Sequence, residues 1–159
     1  MIIERTITGE EPITLVEAKQ WARIDYEADD AIVRDLIKSV RDYVEQYLGR
    51  SLVSSTITYQ LDPDYVSDMV SLPLPYHGQI VSVKLDGVET DAYSVRGIKR
   101  LTFEGFEVGT YEIIYTTIGD CPAAVKTVMR RLLADQNETR NGDMAMTVDA
   151  MRMLMPYSL

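Results

Sequence analysis

The sequence predicts an α+β protein: a mainly helical bundle formed by N- and C-terminal helices, with an antiparallel β subdomain inserted between them. Apolar residues recur at helical spacing near both ends of the 159-residue chain, whereas the centre alternates apolar and polar side chains with a period of two. We therefore expect N-terminal helices in 1–51, an inserted β subdomain in 52–120, and a C-terminal helix and tail in 121–159. The tail and the C-terminal helix are expected to pack with 1–51, so that the chain forms one structural domain.

Two helices are predicted before residue 52. Thr14 and Glu17 have the spacing of a capping box, which indicates the start of a short helix. Asp29 or Asp30 starts a second helix, and Gly49 supplies the left-handed residue that ends it. The apolar stripe of this second helix consists of Ile32, Val33, Leu36, Ile37, Val40, Val44, Tyr47 and Leu48.

The central segment predicts several short strands. Asp86-Gly87 is a strong two-residue hairpin signal, and Arg96-Gly97 is a weaker one. Antiparallel hairpins are therefore favoured over a parallel sheet. The alternating apolar positions are Ile57, Tyr59, Leu61, Val81, Val83, Leu85, Tyr111, Ile113 and Tyr115.

The C-terminal segment predicts one long helix and one short one. Pro122 is suited to a first helical turn, and the long helix is expected to run to about Asn137 or Glu138. Asp149 is expected to cap a last turn before Pro156. Five of the eight methionines lie in 144–155. They either complete the core of this chain or belong to a flexible tail that follows the Asn141-Gly142 break and binds a neighbouring copy or a partner protein.

The composition excludes several functional classes. One histidine, His77, and one cysteine, Cys121, cannot supply a zinc site or an internal disulfide, and no catalytic motif occurs, so we expect no enzyme, metal or cofactor. The net charge of −9 argues against a broad DNA-gripping face. No apolar stretch approaches the roughly 20 residues that cross a bilayer, and no signal-peptide pattern occurs, so we expect cytoplasmic synthesis and no membrane partner.

Several sequence blocks carry a resemblance to a known family. The run Ile13-Thr14-Leu15-Val16-Glu17-Ala18-Lys19 and the run Val40-Arg41-Asp42-Tyr43-Val44-Glu45-Gln46-Tyr47-Leu48-Gly49-Arg50 resemble head-tail connector (adaptor) proteins of tailed bacteriophages. Leu72-Pro73-Leu74-Pro75 and Met153-Leu154-Met155-Pro156-Tyr157 are similar to the longer branch of that family, which carries a β insertion.

The resemblance implies a structural subunit that forms a ring below the portal, links the capsid to the tail and lets DNA pass without sequence-specific binding. The implied partners are other copies of the chain, arranged in the portal's symmetry, the portal protein, and the next neck or tail-completion protein. The implied location is the virion neck, after synthesis in the cytoplasm of the bacterial host. Two alternatives remain: another neck protein, acting in head closure or tail completion, or a soluble module that binds a peptide or carbohydrate.

Two groups of residues are candidates for contacts. Opposite charges on the predicted second and third helices form a candidate subunit interface: Asp42, Glu45, Lys126, Arg130 and Arg131. A solvated face is the alternative interpretation of the charged stripe on the second helix. The C-terminal segment offers candidate contacts to the portal or to a neighbouring copy: Met151, Met153, Leu154, Met155 and Tyr157.

Overall fold

The computed structural model describes residues 1–27, 29–76, 78–139 and 144–159. Helices and antiparallel sheets both occur within these residues, so the predicted α+β class is confirmed. Helices from both ends of the chain share one hydrophobic core. His77 and the predicted break at Asn141-Gly142 lie outside the described residues.

The helices begin and end close to their predicted limits. Thr14 caps the first helix through the predicted capping box with Glu17, and Gly49 ends the second with φ 65°. The cap predicted at Asp149 is wrong: the Thr147 side chain accepts the Ala150 N–H at 3.2 Å, and Asp149 lies in the first turn. The bounds are α1 Leu15–Ala22, α2 Asp30–Leu48, α3 Ala123–Thr139 and α4 Val148–Leu154, followed by a 3-10 turn at Met155–Tyr157.

The strands form two antiparallel sheets. In chain order they are β1 Ile2–Ile7, β2 Ser55–Leu61, β3 Met69–Ser71, β4 Ile80–Leu85, β5 Val88–Glu89, β6 Tyr93–Arg96, β7 Arg100–Phe103 and β8 Tyr111–Thr117. One sheet has the order β1-β2-β8-β4-β5, and the other has the order β3-β7-β6. β1 was not predicted from the sequence; it pairs with β2, more than 45 residues away along the chain.

Two compact units result. The helical unit comprises residues 11–52 and 120–159, and its core includes Val40, Val44, Met129 and Leu133. The β unit comprises residues 1–10 and 53–119. Its core is built from alternate strand residues, with the alternation clearest in β8, where the predicted inward residues Tyr111, Ile113 and Tyr115 are buried.

Glycines fix two tight places in the β unit. Asp86 and Gly87 both have positive φ, 49° and 83°, as a tight hairpin turn requires, and they join β4 to β5 as predicted. A Cβ at Gly119 would lie 2.3 Å from the Cα of Val53, so no larger residue fits without moving backbone. The Gly119 N–H also donates to the Ser54 hydroxyl at 3.0 Å.

Candidate interaction surfaces

Glu17 is the centre of a charged cluster in the helical unit. Its carboxylate accepts the Thr14 N–H at 3.0 Å and lies 3.2 Å from Lys126 Nζ and 2.6 Å from Arg130 Nη2. The Arg130 guanidinium also lies 5.7 Å from the centre of the Trp21 ring, within the range of a cation–π contact. One carboxylate therefore caps α1 and also binds two cations of α3.

These contacts strongly favour the ionised form of Glu17. The backbone hydrogen bond from Thr14 and the pairing with Arg130 and Lys126 lower the pKa of Glu17 from 4.5 to about 2, although partial burial opposes the shift. The carboxylate therefore remains charged from neutral pH down to pH 4.5, where an unperturbed glutamate would be half protonated. The link between α1 and α3 persists across that range.

A second charged cluster surrounds Arg41 of α2. Its guanidinium lies 3.0 Å from Glu11, 3.2 Å from Asp42 and 3.7 Å from Glu45. Arg41 and Glu45 are buried, with 4% and 2% of their surface exposed. Glu45 also accepts the Leu52 N–H at 2.6 Å, so this carboxylate holds the chain that leaves α2.

The candidate subunit-interface residues are divided by these clusters. Glu45 lies in the interior of the helical unit, and Lys126 and Arg130 both bind Glu17 of their own chain. Asp42 remains about half exposed, and Arg131 Nη1 lies 3.9 Å from the Met153 sulfur. Among the five candidates, Asp42 has the most exposed of the ion-paired side chains, and Arg131 has no described carboxylate partner.

The C-terminal segment has a buried face and an exposed face. Leu154 is fully buried, Met146 is 7% exposed, and both belong to the core of the helical unit. This face agrees with the interpretation that the segment completes the core. The Leu159 N–H donates to the carbonyl of Leu48 at 2.9 Å, which holds the end of the chain against α2.

The opposite face of this segment is open. Met151 is 38% exposed and Met155 is 66% exposed. Met153 and Tyr157 are partly buried against the core. Of the five residues predicted to contact a partner, Met151 and Met155 therefore have the greatest surface available.

The β unit has two charged features that were not selected from the sequence. Four carboxylates, of Asp86, Glu89, Glu104 and Glu107, line a pocket of about 400 Å³. Two arginines, Arg96 and Arg100, face each other across the β6–β7 hairpin. The weaker turn signal at Arg96-Gly97 marked the hairpin, but sequence spacing alone did not show that the two arginines pair.

Within the described ranges, no helix is both long enough and apolar enough to cross a membrane. In the same part of the chain, no three His, Cys, Asp or Glu side chains are placed together to hold a metal ion.

Comparisons with solved structures show a similar fold in components of gene transfer agent particles. One similar chain belongs to the virion of a native gene transfer agent particle, with TM-score 0.72 and 19% identity. Another belongs to the neck of the empty particle computed with C6 symmetry, with TM-score 0.70 and 17% identity. A third belongs to the neck of the native particle computed with C12 symmetry, with TM-score 0.63 and 17% identity. Each comparison covers 98% of this chain and 95% of the other.

A comparison with curated proteins gives no match. The model of one protein family matches residues 12–82, a segment that contains α1, α2, β2 and β3, with Glu17 and Arg41 at the centres of the two charged clusters. The resemblance seen in the sequence is thereby confirmed: over residues 12–82, this chain matches the phage gp6-like head-tail connector proteins.

Proposed function

We propose that this chain is a head-tail connector (adaptor) subunit that forms a ring below the portal of a phage or phage-like particle, links the capsid to the tail and lets DNA pass. The observation that carries the proposal is the family match over residues 12–82. Likeness of fold along 98% of the chain to components of particle necks supports it. The sixfold and twelvefold symmetry of those necks favours a ring of identical subunits.

The charge of the chain suits a channel through which DNA slides. A net charge of −9 on each copy repels phosphate, whereas a basic lumen would release counterions and hold DNA tightly. The role requires neither catalysis nor a cofactor, and the DNA is not read by sequence. The proposed partners are other copies, the portal protein and the next neck or tail-completion protein.

The exposed face of the C-terminal segment is the proposed contact with the portal or a neighbouring copy. Met151 and Met155 supply adaptable apolar surface there. Met153 and Tyr157 border this face, and Leu154 supports it from the core. Asp42 and Arg131 remain the proposed charged contacts on the α2 and α3 side.

The test is the mass of the protein in solution, measured by light scattering after size-exclusion chromatography. The chain is measured alone and then mixed with the portal protein encoded in the same genome. A ring alone, or a stable complex with the portal, is the expected result. A monomer alone is also consistent with the proposal if it binds the portal, because the portal can act as the template on which the ring closes.

A protein that stays monomeric and does not bind the portal would contradict adaptor function. Stable binding to a downstream neck protein, with no binding to the portal, would favour a head-closure or tail-completion role. The similar chains belong to particle necks, and a head-closure or tail-completion protein is also a neck component.

A further inference from the structure

The β6–β7 hairpin carries a pair of like charges. Arg96 and Arg100 are partners in the antiparallel register, so their side chains lie on the same face of the sheet. Both are exposed, and neither forms an ion pair with another of the described residues. Like charges placed directly opposite each other destabilise a hairpin, so this arrangement is unfavourable unless an anion approaches it.

The acidic pocket of the same unit has the opposite character. Asp86, Glu89, Glu104 and Glu107 contribute its carboxylates, and no basic residue is among those that line it. All four are exposed, and the one hydrogen bond described for their carboxylates is the Thr110 N–H donated to Asp86 Oδ1 at 2.9 Å. The apolar part of the lining consists of Leu85, Val88, Ala92 and Tyr111.

The pocket and the arginine pair lie at opposite ends of one hairpin. Ala92 immediately precedes β6 and Glu104 immediately follows β7, and both line the pocket. The Arg96–Arg100 pair closes the other end, beside the turn at Gly97. A strand of four residues spans roughly 13 Å, so the arginines of one copy are held away from the pocket of that copy.

A head-to-tail ring needs two different, complementary faces on each copy, because each copy binds the next through one face and the previous through the other. The arginine pair and the acidic pocket are complementary, and they lie too far apart to bind each other within one copy. We infer that the Arg96/Arg100 hairpin tip of one copy docks in the acidic pocket of the next copy, and that this contact repeats around the ring. The inference rests on the proposed ring-forming function. The occupant is a second copy because the same chain supplies both the cationic and the anionic partner.

Exposed apolar residues support the same contact. Val88, in the pocket lining, is 70% exposed, and Ile98, at the hairpin tip, is 41% exposed. Docking would cover both while it neutralises the arginines. The β unit as a whole carries 11 acidic and 5 basic residues, so the basic tip is opposite in sign to the net charge of the unit on a neighbouring copy.

The test uses two charge-reversal variants of the full chain. The tip variant is Arg96→Glu with Arg100→Glu, and the pocket variant is Glu104→Lys with Glu107→Lys. The tip variant places like charges at every contact, and the pocket variant brings the net charge of the pocket lining from −4 to 0 and sets two lysines against the arginines, so association is expected to weaken by about tenfold or more. A one-to-one mixture of the two sets the glutamate tip beside the new lysines and the arginine tip beside the unmodified pocket, so it is expected to assemble as an alternating ring.

Assembly is measured by light scattering, alone and on the portal, with circular dichroism to confirm that each variant is folded. The matched control is Asp64→Lys with Asp68→Lys, which makes the same charge change at exposed carboxylates outside the pocket. This control is expected to assemble like the unmodified chain.

If assembly is lost in each variant and recovers only when the two are mixed, the contact is established, because only a tip-to-pocket interface predicts that result. Variants that assemble normally, or a mixture that shows no recovery, would overturn the inference and leave the proposed function standing. A tip variant that assembles normally but binds double-stranded DNA more weakly would identify phosphate as the partner and would also overturn it. An unmodified chain that neither assembles nor binds the portal would refute the proposed function and the inference together.

Discussion

The helical unit and the β unit use their charged residues differently. In the helical unit, charges join elements of the same chain: Glu17 binds two cations of α3, and Arg41 binds three carboxylates. In the β unit, Lys84 and Glu112 form a surface pair, but the arginine pair and the acidic pocket lie at separate ends of a hairpin. The first arrangement stabilises a subunit, and the second is suited to joining subunits.

The comparison gives a rule for sorting mutations. Removing a charge from the helical clusters should lower the stability of the subunit. Removing a charge from the tip or the pocket of the β unit should change assembly and leave stability nearly unaltered, since exposed charges contribute little to folding. The free energy of unfolding of single variants measures how far each charge stabilises the subunit.

The largest effect is expected for Arg41→Met. This change removes the cation that Glu45 and Glu11 share, and it leaves Glu45, which is 2% exposed, buried without that partner. Breaking a buried ion pair by removing one partner costs about 3–5 kcal/mol, so urea denaturation followed by circular dichroism should show a loss of that size. Lys38→Met is the control: the Lys38–Asp35 pair is exposed, and its loss should cost no more than about 0.5 kcal/mol. Equal effects of the two changes would contradict the distinction.

Leu154→Ala comes next. Leu154 is fully buried in the core of the helical unit, and truncation of a buried leucine to alanine costs about 2–5 kcal/mol. Met155→Ala, at a neighbouring residue that is 66% exposed, should change the unfolding free energy by no more than about 0.5 kcal/mol. If both variants are as stable as the unmodified chain, α4 is not part of the core. Weaker portal binding by Met155→Ala alone would support the proposed contact face.

The sequence could predict features whose cause is local. The capping box at Thr14, the left-handed Gly49 and the Asp86-Gly87 turn each depend on a few adjacent residues, and all three are present. β1 was missed because Ile2–Ile7 is defined by its pairing with β2, which lies far along the chain. Propensity in a six-residue segment carries little information about such a partner.

The candidate charges illustrate the same limit. Glu45 belongs to the polar stripe of α2 in the sequence, and helical periodicity does not show that the backbone after Gly49 returns to hydrogen-bond it. Lys126 and Arg130 were selected because they are basic in an acidic chain, and their partner Glu17 is more than 100 residues away. Spacing indicates which residues share a helix face; only the tertiary fold shows what covers that face.

Glu17→Gln should have an intermediate effect that depends on pH. Loss of the capping carboxylate and its two ion pairs is expected to lower the unfolding free energy by about 1–2 kcal/mol at neutral pH. Because folding lowers the pKa of Glu17 from 4.5 to about 2, its contribution is complete above pH 4.5 and is lost as the pH falls toward 2.

Denaturation curves for the Glu17→Gln variant and the unmodified chain should therefore converge between pH 4.5 and pH 2. Asp35→Asn, at an exposed carboxylate of the same unit, is the control and should show a small difference at every pH. A difference for Glu17→Gln that stays constant with pH would mean that its charge does not stabilise the link between α1 and α3.

The smallest effect is expected in the β unit, for Lys84→Met. Lys84 and Glu112 are register partners in β4 and β8, with 3.1 Å between their charged atoms and about a third of each side chain exposed. Cross-strand pairs of this kind contribute about 0.2–1 kcal/mol, and roughly 1 M salt should screen most of that. A double-mutant cycle with Glu112→Gln measures the pair alone. A coupling as large as that expected for Arg41 would show that the β unit also depends on its charges to fold, and the division of roles between the two units would be lost.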